Sequence, residues 1–382
     1  MIADSLRGQD EALALLHAAL QSGHVGHAYL FHGPSGVGKT RAALYFARAL
    51  LCESPCADRT PCGECAGCKA ALELRHPDLQ VLVPLPSFTS EGRTERQAEE
   101  ARAEARAKVF SGLASDPYFL PVFAKPAALS VDDLARAKQF LALTAQREGG
   151  AKVLIMKRAE AMTLPAAHAF LKILEEPQPR RVLILCARQV RGLLPTISSR
   201  CLHVRFRPLT TDFIASVLSG AKGVSKPVAR LAGATAHGSL GKALQHFEQP
   251  LDGAGKDVLD EGEFSRLRAI AIELFVRPKT PAILGPLRRG RLDRDRGRFL
   301  GALSLALHYY RDVMRYRILG EGTEIAHEDL RRDVAADART IPVAALTKRV
   351  TMLEEIAAAV QSNVSIPYAV AAAQHRMGIG PQ

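Results

Sequence analysis

The eight residues GPSGVGKT, Gly33 to Thr40, constrain the fold more than any other stretch of the chain. Glycines at 33, 36 and 38 let the backbone curl so that successive amides face one point, and Lys39 and Thr40 add an ammonium and a hydroxyl. Such a loop belongs between a buried strand and a helix. HAYLFHG before it reads as the strand, and the Ala-rich run from Thr40 to Leu51 as the helix. Gly33, Pro34, Ser35, Gly36, Val37, Gly38, Lys39 and Thr40 are therefore the candidate phosphate-binding set, with Lys39 reaching outer phosphates and Thr40 facing magnesium. A purely structural glycine turn is the alternative.

Further apolar runs extend the pattern. LQVLVPL (79 to 85), KVLIM and VLILCA (182 to 187) read as buried strands, and LPAAHAFLKILEEP is a helix that Pro177 ends. SVDDLARAKQFLALT opens with an N-cap serine and two early acids, as a helix should. Strand-helix alternation to about 206 predicts a parallel sheet covered on both faces, hence an α/β fold. After RFRPL the strands stop and helical patterns take over. The expected division is 1–207, a P-loop domain; 208–250, a small helical domain with GSLGKALQHF as its last helix; and 251–382, an all-helical domain. Residues 91 to 108, rich in Ala, Arg and Glu, are expected to be a solvated polar helix or arm.

Hydrolysis at such a loop needs a carboxylate to hold magnesium and a group to position water. The strand KVLIM ends instead on Lys157 and Arg158, which supply neither. They either neutralise phosphate in place of a metal or lie on the surface past the strand end. In both cases hydrolysis within the chain is disabled and the Mg2+ site is lost.

Five of the seven cysteines fall between 52 and 68, which is not the distribution of a secreted disulfide scaffold. Cys62-x-x-Cys65-x-x-Cys68 closes tight turns eased by Gly63 and Gly67, and either Cys52 or Cys56 completes a closed four-thiolate site. Structural zinc is the expected ion. His76, before Pro77, is a turn residue and only a remote candidate ligand.

The net charge of +12 is spread along the chain, with 27 of the 51 basic residues before position 208, so it supports contact with nucleic acid only weakly. Charged residues interrupt the N-terminus and no apolar stretch reaches spanning length, so a cytoplasmic address is expected. The arginines at 288, 289, 291, 294, 296 and 298, interleaved with Asp293 and Asp295 and lacking aromatics, read as a solvated helix face rather than a DNA contact. Arg200, in LLPTISSRCLHVRF, is by residue type either a solvated charge or a group that stabilises phosphoryl transfer on a neighbouring subunit.

HAYLFHGPSGVGKT, the cysteine insertion, HPDL, AHAFLKILEEP, TISSRC and GSLGKAL, in that order and spacing, resemble bacterial clamp-loader AAA+ subunits across about residues 1 to 248. The resemblance implies an AAA+ P-loop domain with zinc insertion, a helical lid and a C-terminal collar that joins five subunits. In that family the motor subunits carry an acidic pair where this chain has Lys157 and Arg158, a polar sensor where it has Ala187, and a lid arginine where it has Gly241. All three departures together match the family's rigid, non-motor member. That member's implied role is to present Arg200, with Ser199 shaping its surroundings, to ATP held by a neighbour. Cys52 matches the family's first zinc ligand. The implied partners are the gamma/tau and delta subunits and, through the complex, the sliding clamp and primed DNA. An active gamma/tau-type motor is the alternative within the family. A small-molecule P-loop kinase and a zinc-dependent DNA-binding module are the alternatives outside it.

Overall fold

A computed structural model describes residues 8–87, 94–115, 118–121, 123, 126–245, 261–277, 284–293, 295–361 and 364–377. The chain forms two compact units, one of residues 1–210 together with Ser239–Lys242, the other of most of the remainder.

In chain order the first unit contains α1 (Asp10–Ser22), β1 (Ala28–His32), α2 (Lys39–Leu51), α3 (Ala66–Leu72), β2 (Leu79–Leu82), β3 (Leu85–Pro86) and α4 (Glu95–Ser115). It continues with β4 (Ala127–Ala128), α5 (Val131–Ala142), β5 (Lys152–Lys157), α6 (Leu164–Glu175), β6 (Arg181–Ala187), α7 (Pro195–Ser198) and β7 (Leu202–Arg205). Five strands make one parallel sheet in the order β2-β5-β6-β1-β7, and β3 pairs with β4 in a small antiparallel ladder. β1 therefore lies between β6 and β7, and the loop follows its carboxyl end, the end at which open α/β sheets bind ligands.

The continuous apolar runs are explained by burial on both faces. Tyr29, Phe31, Val153, Ile155, Val182 and Ile184 face a core shared with α1 and α2. Their neighbours Ala28, Leu30, Leu154, Met156, Leu183 and Leu185 face a second core shared with α5 and α6. Each large side chain so buried contributes roughly 1.5–3 kcal/mol.

α5 begins with the serine the sequence marks. Ser130 Oγ accepts from the Asp133 amide at 3.3 Å while Asp133 Oδ2 accepts from the Ser130 amide at 2.9 Å, a reciprocal capping box. Arg102 of α4 reaches the same carboxylate at 2.6 Å. The charged segment is thus not a purely solvated arm: Ala98, Val109 and Leu113 are buried on one side of α4, and Arg102 ties it to α5. Residues 91–93 of that segment lie outside the described residues.

The second unit is helical: α8 (Thr211–Lys222), α9 (Lys226–Thr235), α10 (Leu240–Gln245, whose first residues group with the first unit), α11 (Glu261–Phe275), α12 (Leu284–Arg289), α13 (Arg296–Leu319), α14 (Arg331–Thr340), α15 (Val343–Gln361) and α16 (Ile366–Met377). α13 is its axis, packing against α11, α14 and α15 with Phe299, Leu303, Tyr309, Tyr310 and Val313 buried. Buried Asp312 accepts from the Ala326 and His327 amides at 3.0 and 2.9 Å and from His327 Nδ1 at 2.8 Å, holding the loop that leads to α14. In the arginine-rich stretch, Asp295 caps α13 by accepting from the Arg298 amide at 2.9 Å, which is a structural role; Arg294 lies outside the described residues. Among the described residues no helix is long and apolar enough to cross a membrane.

Candidate functional site

The phosphate loop joins β1 to α2 as its sequence requires. Gly33 is squeezed between two strand ends: its amide donates to Ala187 O at 3.3 Å, and a Cβ added to it would stand 2.2 Å from Phe206 O. Gly36 and Gly38 have φ of +70° and +103°, a region that costs other residues energy. The buried Gln9 braces the loop from outside, donating to Val37 O at 3.2 Å and Arg207 O at 2.8 Å.

Lys39 opens α2 and is only 8% exposed. Its Nζ donates to Gly33 O at 2.6 Å and also to Pro34 O, so the ammonium is folded back on its own loop. Burial pushes its pKa down to about 8, against the pull of the Glu160 carboxylate. Thr40 follows in the same first turn.

Lys157 ends β5 one strand away from β1, paired with Cys186 of β6. It is 6% exposed and its Nζ donates to Phe119 O at 3.3 Å. Lys157 is buried, so the reading that places it on the surface past the strand end does not hold for it. Arg158 is exposed, in a left-handed turn with φ of +49°. Burial pushes the Cys186 thiol up to about 12, so it remains protonated between the two lysines. A carboxylate does follow at Glu160, which the sequence reading missed. Arg188 holds it, with Nε 2.9 Å from Oε1 and the backbone amide 3.4 Å from Oε2. Magnesium takes oxygen ligands in octahedral geometry, and a lysine at the strand end offers only donors. This site does not fit the metal of a hydrolysing P-loop protein.

Beyond α2 the four cysteines converge. Cys52, Cys62, Cys65 and Cys68 place their sulfurs within 4.8 Å of one another; Cys56 stands apart and exposed. Sγ separations of 3.5 Å (Cys52 to Cys62), 3.8 Å (Cys52 to Cys65) and 4.0 Å (Cys62 to Cys68) match a tetrahedron with arms of about 2.3 Å, whose edges are about 3.8 Å. Backbone amides of Cys62, Cys65 and Cys68 point at the sulfurs of Cys52, Cys62 and Cys65 at 3.3–3.4 Å. A further observation supports an ion here. Arg48 is 2% exposed, its Nε and Nη1 have no hydrogen-bond partner, and its Nη2 reaches within 3.7 Å of the position of a Cβ on Gly63, inside the cysteine loop. A buried cation without partners is costly unless an anion stands near it, and a tetrathiolate zinc site would be that anion. The four cysteines would hold the metal with no open position, and the metal would supply structure rather than reactivity.

The HPDL motif explains itself nearby. His76 Nδ1 accepts from the Asp78 amide at 3.0 Å, so His76 has a turn role. Asp78 forms a buried ion pair with Lys152 at 3.0 Å and accepts from the Gln146 amide at 2.9 Å.

Arg200 lies between α7 and β7. Its Nη1 donates to Thr196 O at 2.9 Å, a carbonyl that also accepts from Ser199 Oγ at 3.3 Å. Its Nη2 pairs with Glu175 at 3.0 Å, with 38% of the arginine side chain exposed. β7 runs parallel to β1, and Phe206 at its far end lies beside Gly33. Four extended residues, about 13 Å, separate the Arg200 end of β7 from the phosphate-loop end.

A parallel sheet with a phosphate loop after the strand beside its edge, flanked by helices and joined to a helical unit, defines a P-loop protein of the AAA+ class. Comparison of the sequence narrows this. The pattern of the family described as DNA polymerase III, delta subunit, matches residues 8–210, and the chain belongs to that family. It is 38% identical over 177 residues to DNA polymerase III subunit delta' of Pseudomonas aeruginosa, a match spanning 46% of this chain and 42% of that one. It is 26% identical over 368 residues to subunit delta' of Bacillus subtilis, 94% of this chain and 92% of that one. Subunit gamma/tau of Mycobacterium tuberculosis is 29% identical over 213 residues, 56% of this chain and 30% of that one. Among solved structures, a DNA polymerase III gamma subunit-related protein of Thermotoga maritima aligns over 96% of this chain and 100% of that one, with 14% identity and a TM-score of 0.40.

Proposed function

We propose that this chain is the delta' subunit of a clamp loader, a largely non-hydrolysing stator that acts on a neighbour's nucleotide. The observation that carries this reading is Lys157, buried and hydrogen-bonded where a motor needs a metal-binding carboxylate. The place of Arg200 adds support. It stands at the opposite end of β7 from its own phosphate loop, partly exposed and steadied by Glu175, so any phosphate it serves belongs to another subunit.

In this reading residues 1–207 are the AAA+ domain, 208–250 the lid and 251–382 the collar. The partners are the gamma/tau and delta subunits in the cytoplasm, and the assembled complex places a sliding clamp on primed DNA. Zinc at Cys52, Cys62, Cys65 and Cys68 holds the insertion in shape.

The test is the DNA- and clamp-stimulated ATPase of a reconstituted loader containing this chain or its Arg200→Ala form. The isolated chain is expected to be inert, both complexes to assemble, and the variant complex to lose at least tenfold in turnover, a modest loss for a trans-acting arginine. Turnover by the isolated chain, or an unaffected variant complex, would overturn the reading and favour a gamma/tau-type motor.

A further inference from the structure

The phosphate loop poses its own question: a complete cradle sits in a chain with no means to hydrolyse what it would hold. The surroundings of Gly36 answer it. The Gly241 amide donates to Gly36 O at 3.0 Å, so the tip of the loop is bonded to the segment that starts α10. Contact there is backbone against backbone. A Cβ added to Gly36 would stand 2.3 Å from Ser239 Oγ and 3.0 Å from the Gly241 nitrogen. One added to Gly241 would stand 2.7 Å from Tyr118 O and 3.0 Å from Gly36 Cα. The 2.3 Å and 2.7 Å distances are closer than real Cβ contacts come, so a side chain at either glycine forces its neighbours to shift, and the packing favours glycine at both positions whether or not a nucleotide ever binds.

The segment is itself held. Ser239, 2% exposed, accepts from the Lys242 amide at 3.1 Å, and Leu240 is buried. Over it passes a second piece of chain, Tyr118 to Leu120. The Arg41 guanidinium lies 5.2 Å from the Tyr118 ring centroid, and Phe119 O takes the Lys157 ammonium. Lys39 donates to carbonyls of its own loop. Lys39, the cation a polyphosphate would need, is therefore engaged with backbone oxygens, Lys157 is bonded to Phe119 O, and the loop's tip is bonded to polypeptide.

We propose that the phosphate loop is latched by the chain's own Ser239–Gly241 segment, and that the polyphosphate of a nucleotide enters the cradle only by displacing it. The loop then serves the resting chain as a packing element, which gives its glycines a purpose independent of hydrolysis. The latch goes beyond the stator role and stands on contacts within this chain, so either can fail without the other.

The experiment is a titration of the full-length chain with N-methylanthraniloyl-ATP, with magnesium and with EDTA. It compares the unaltered chain with Gly241→Ala and with Gly241→Ala/Lys39→Ala. Gly241 has no positive φ, so alanine suits the helix start and its Cβ acts by pushing against Tyr118 O, Gly36 and the Leu120 side chain. Gly241→Ala is expected to bind at least tenfold more tightly than the unaltered chain, and Lys39→Ala to abolish that gain. Equal affinities in the unaltered and Gly241→Ala chains, whether tight or undetectable, overturn the latch. Should Gly241→Ala fail to fold, hydrogen exchange on the unaltered chain decides. The amides of 239–242 are expected to be protected without nucleotide and released by saturating ATP. Rapid exchange without nucleotide, or protection unchanged at saturation, overturns it.

Discussion

Replacing Arg48 by methionine should move two quantities in opposite directions. Arg48 is 2% exposed, and its Nε and Nη1 have no hydrogen-bond partner. A buried donor left unsatisfied costs about 1–3 kcal/mol, so these two groups together burden the metal-free chain by at least about 2 kcal/mol. Methionine fills similar space with no donors. With zinc bound the account reverses, because four thiolates around Zn2+ leave a net charge of about −2 against which the guanidinium is favourable. Losing a partner of that kind typically weakens metal affinity ~10–100-fold. Arg48→Met should therefore raise the urea midpoint of the metal-stripped chain and lower the zinc affinity measured by chelator competition. Unchanged zinc affinity, or a metal-stripped variant less stable than the unaltered chain, would refute the assignment of Arg48 as the counter-charge of the cluster.

Two further perturbations probe groups outside the nucleotide site. Asp78→Asn leaves Lys152 buried and without its carboxylate; one broken buried pair costs about 3–5 kcal/mol, and a drop in thermal midpoint of several degrees is expected by calorimetry. His308 contacts His237 through ring nitrogens 3.3 Å apart, and burial, helped by His237 and Arg311 and opposed by Asp312, pushes its pKa down to about 3. The unfolded chain takes up this proton first, near 6.5, so stability is full above that pH and falls as pH drops toward about 3, by an amount on the order of 5 kcal/mol. His308→Gln should flatten that slope in urea denaturation followed between pH 7 and pH 4. An unchanged slope would mean that other groups carry it.

What was legible in the sequence was whatever repeats at short range. The phosphate loop, the Cys62, Cys65 and Cys68 spacing, the two-sided burial of the strands and the Ser130 cap each lie within a few residues, where periodicity and turn chemistry speak directly. What was not legible depends on residues far apart in the chain. Gln9 bridges to Arg207 across 198 positions, and nothing about a glutamine before a helix announces it. Arg48 reads as a solvated charge on an Ala-rich helix until the cysteine loop folds over it. The charged run that becomes α4 conceals Val109 and Leu113 among so many ions that its apolar side falls below notice, and Arg102 finds Asp133 only once the fold brings α4 to α5. For the pair at 157 and 158 the sequence left two readings, and the difference is a matter of one residue's exposure: the strand carries Lys157 inside, and the left-handed turn at Arg158 ends it.

The same distinction separates motif from activity. A phosphate loop is recognised by glycines, and glycine is demanded wherever a Cβ would run into a neighbouring backbone as much as wherever a phosphate must approach. Gly36 satisfies the first condition through Gly241 and retains the capacity for the second. In the clamp-loader family a motor differs from a stator in the groups that act on the phosphate, a metal carboxylate, a sensor and a lid arginine, and the resemblance sets Lys157, Ala187 and Gly241 at those positions. Each replacement has a structural use of its own. Lys157 donates to Phe119 O, Ala187 O accepts from Gly33, and Gly241 donates to Gly36 O. An aspartate at 157 would lose the side-chain bond to Phe119 O, and a side chain at 241 would run into Tyr118 O and Gly36 Cα, whereas the Ala187 contact is made by its backbone carbonyl and survives a polar side chain there.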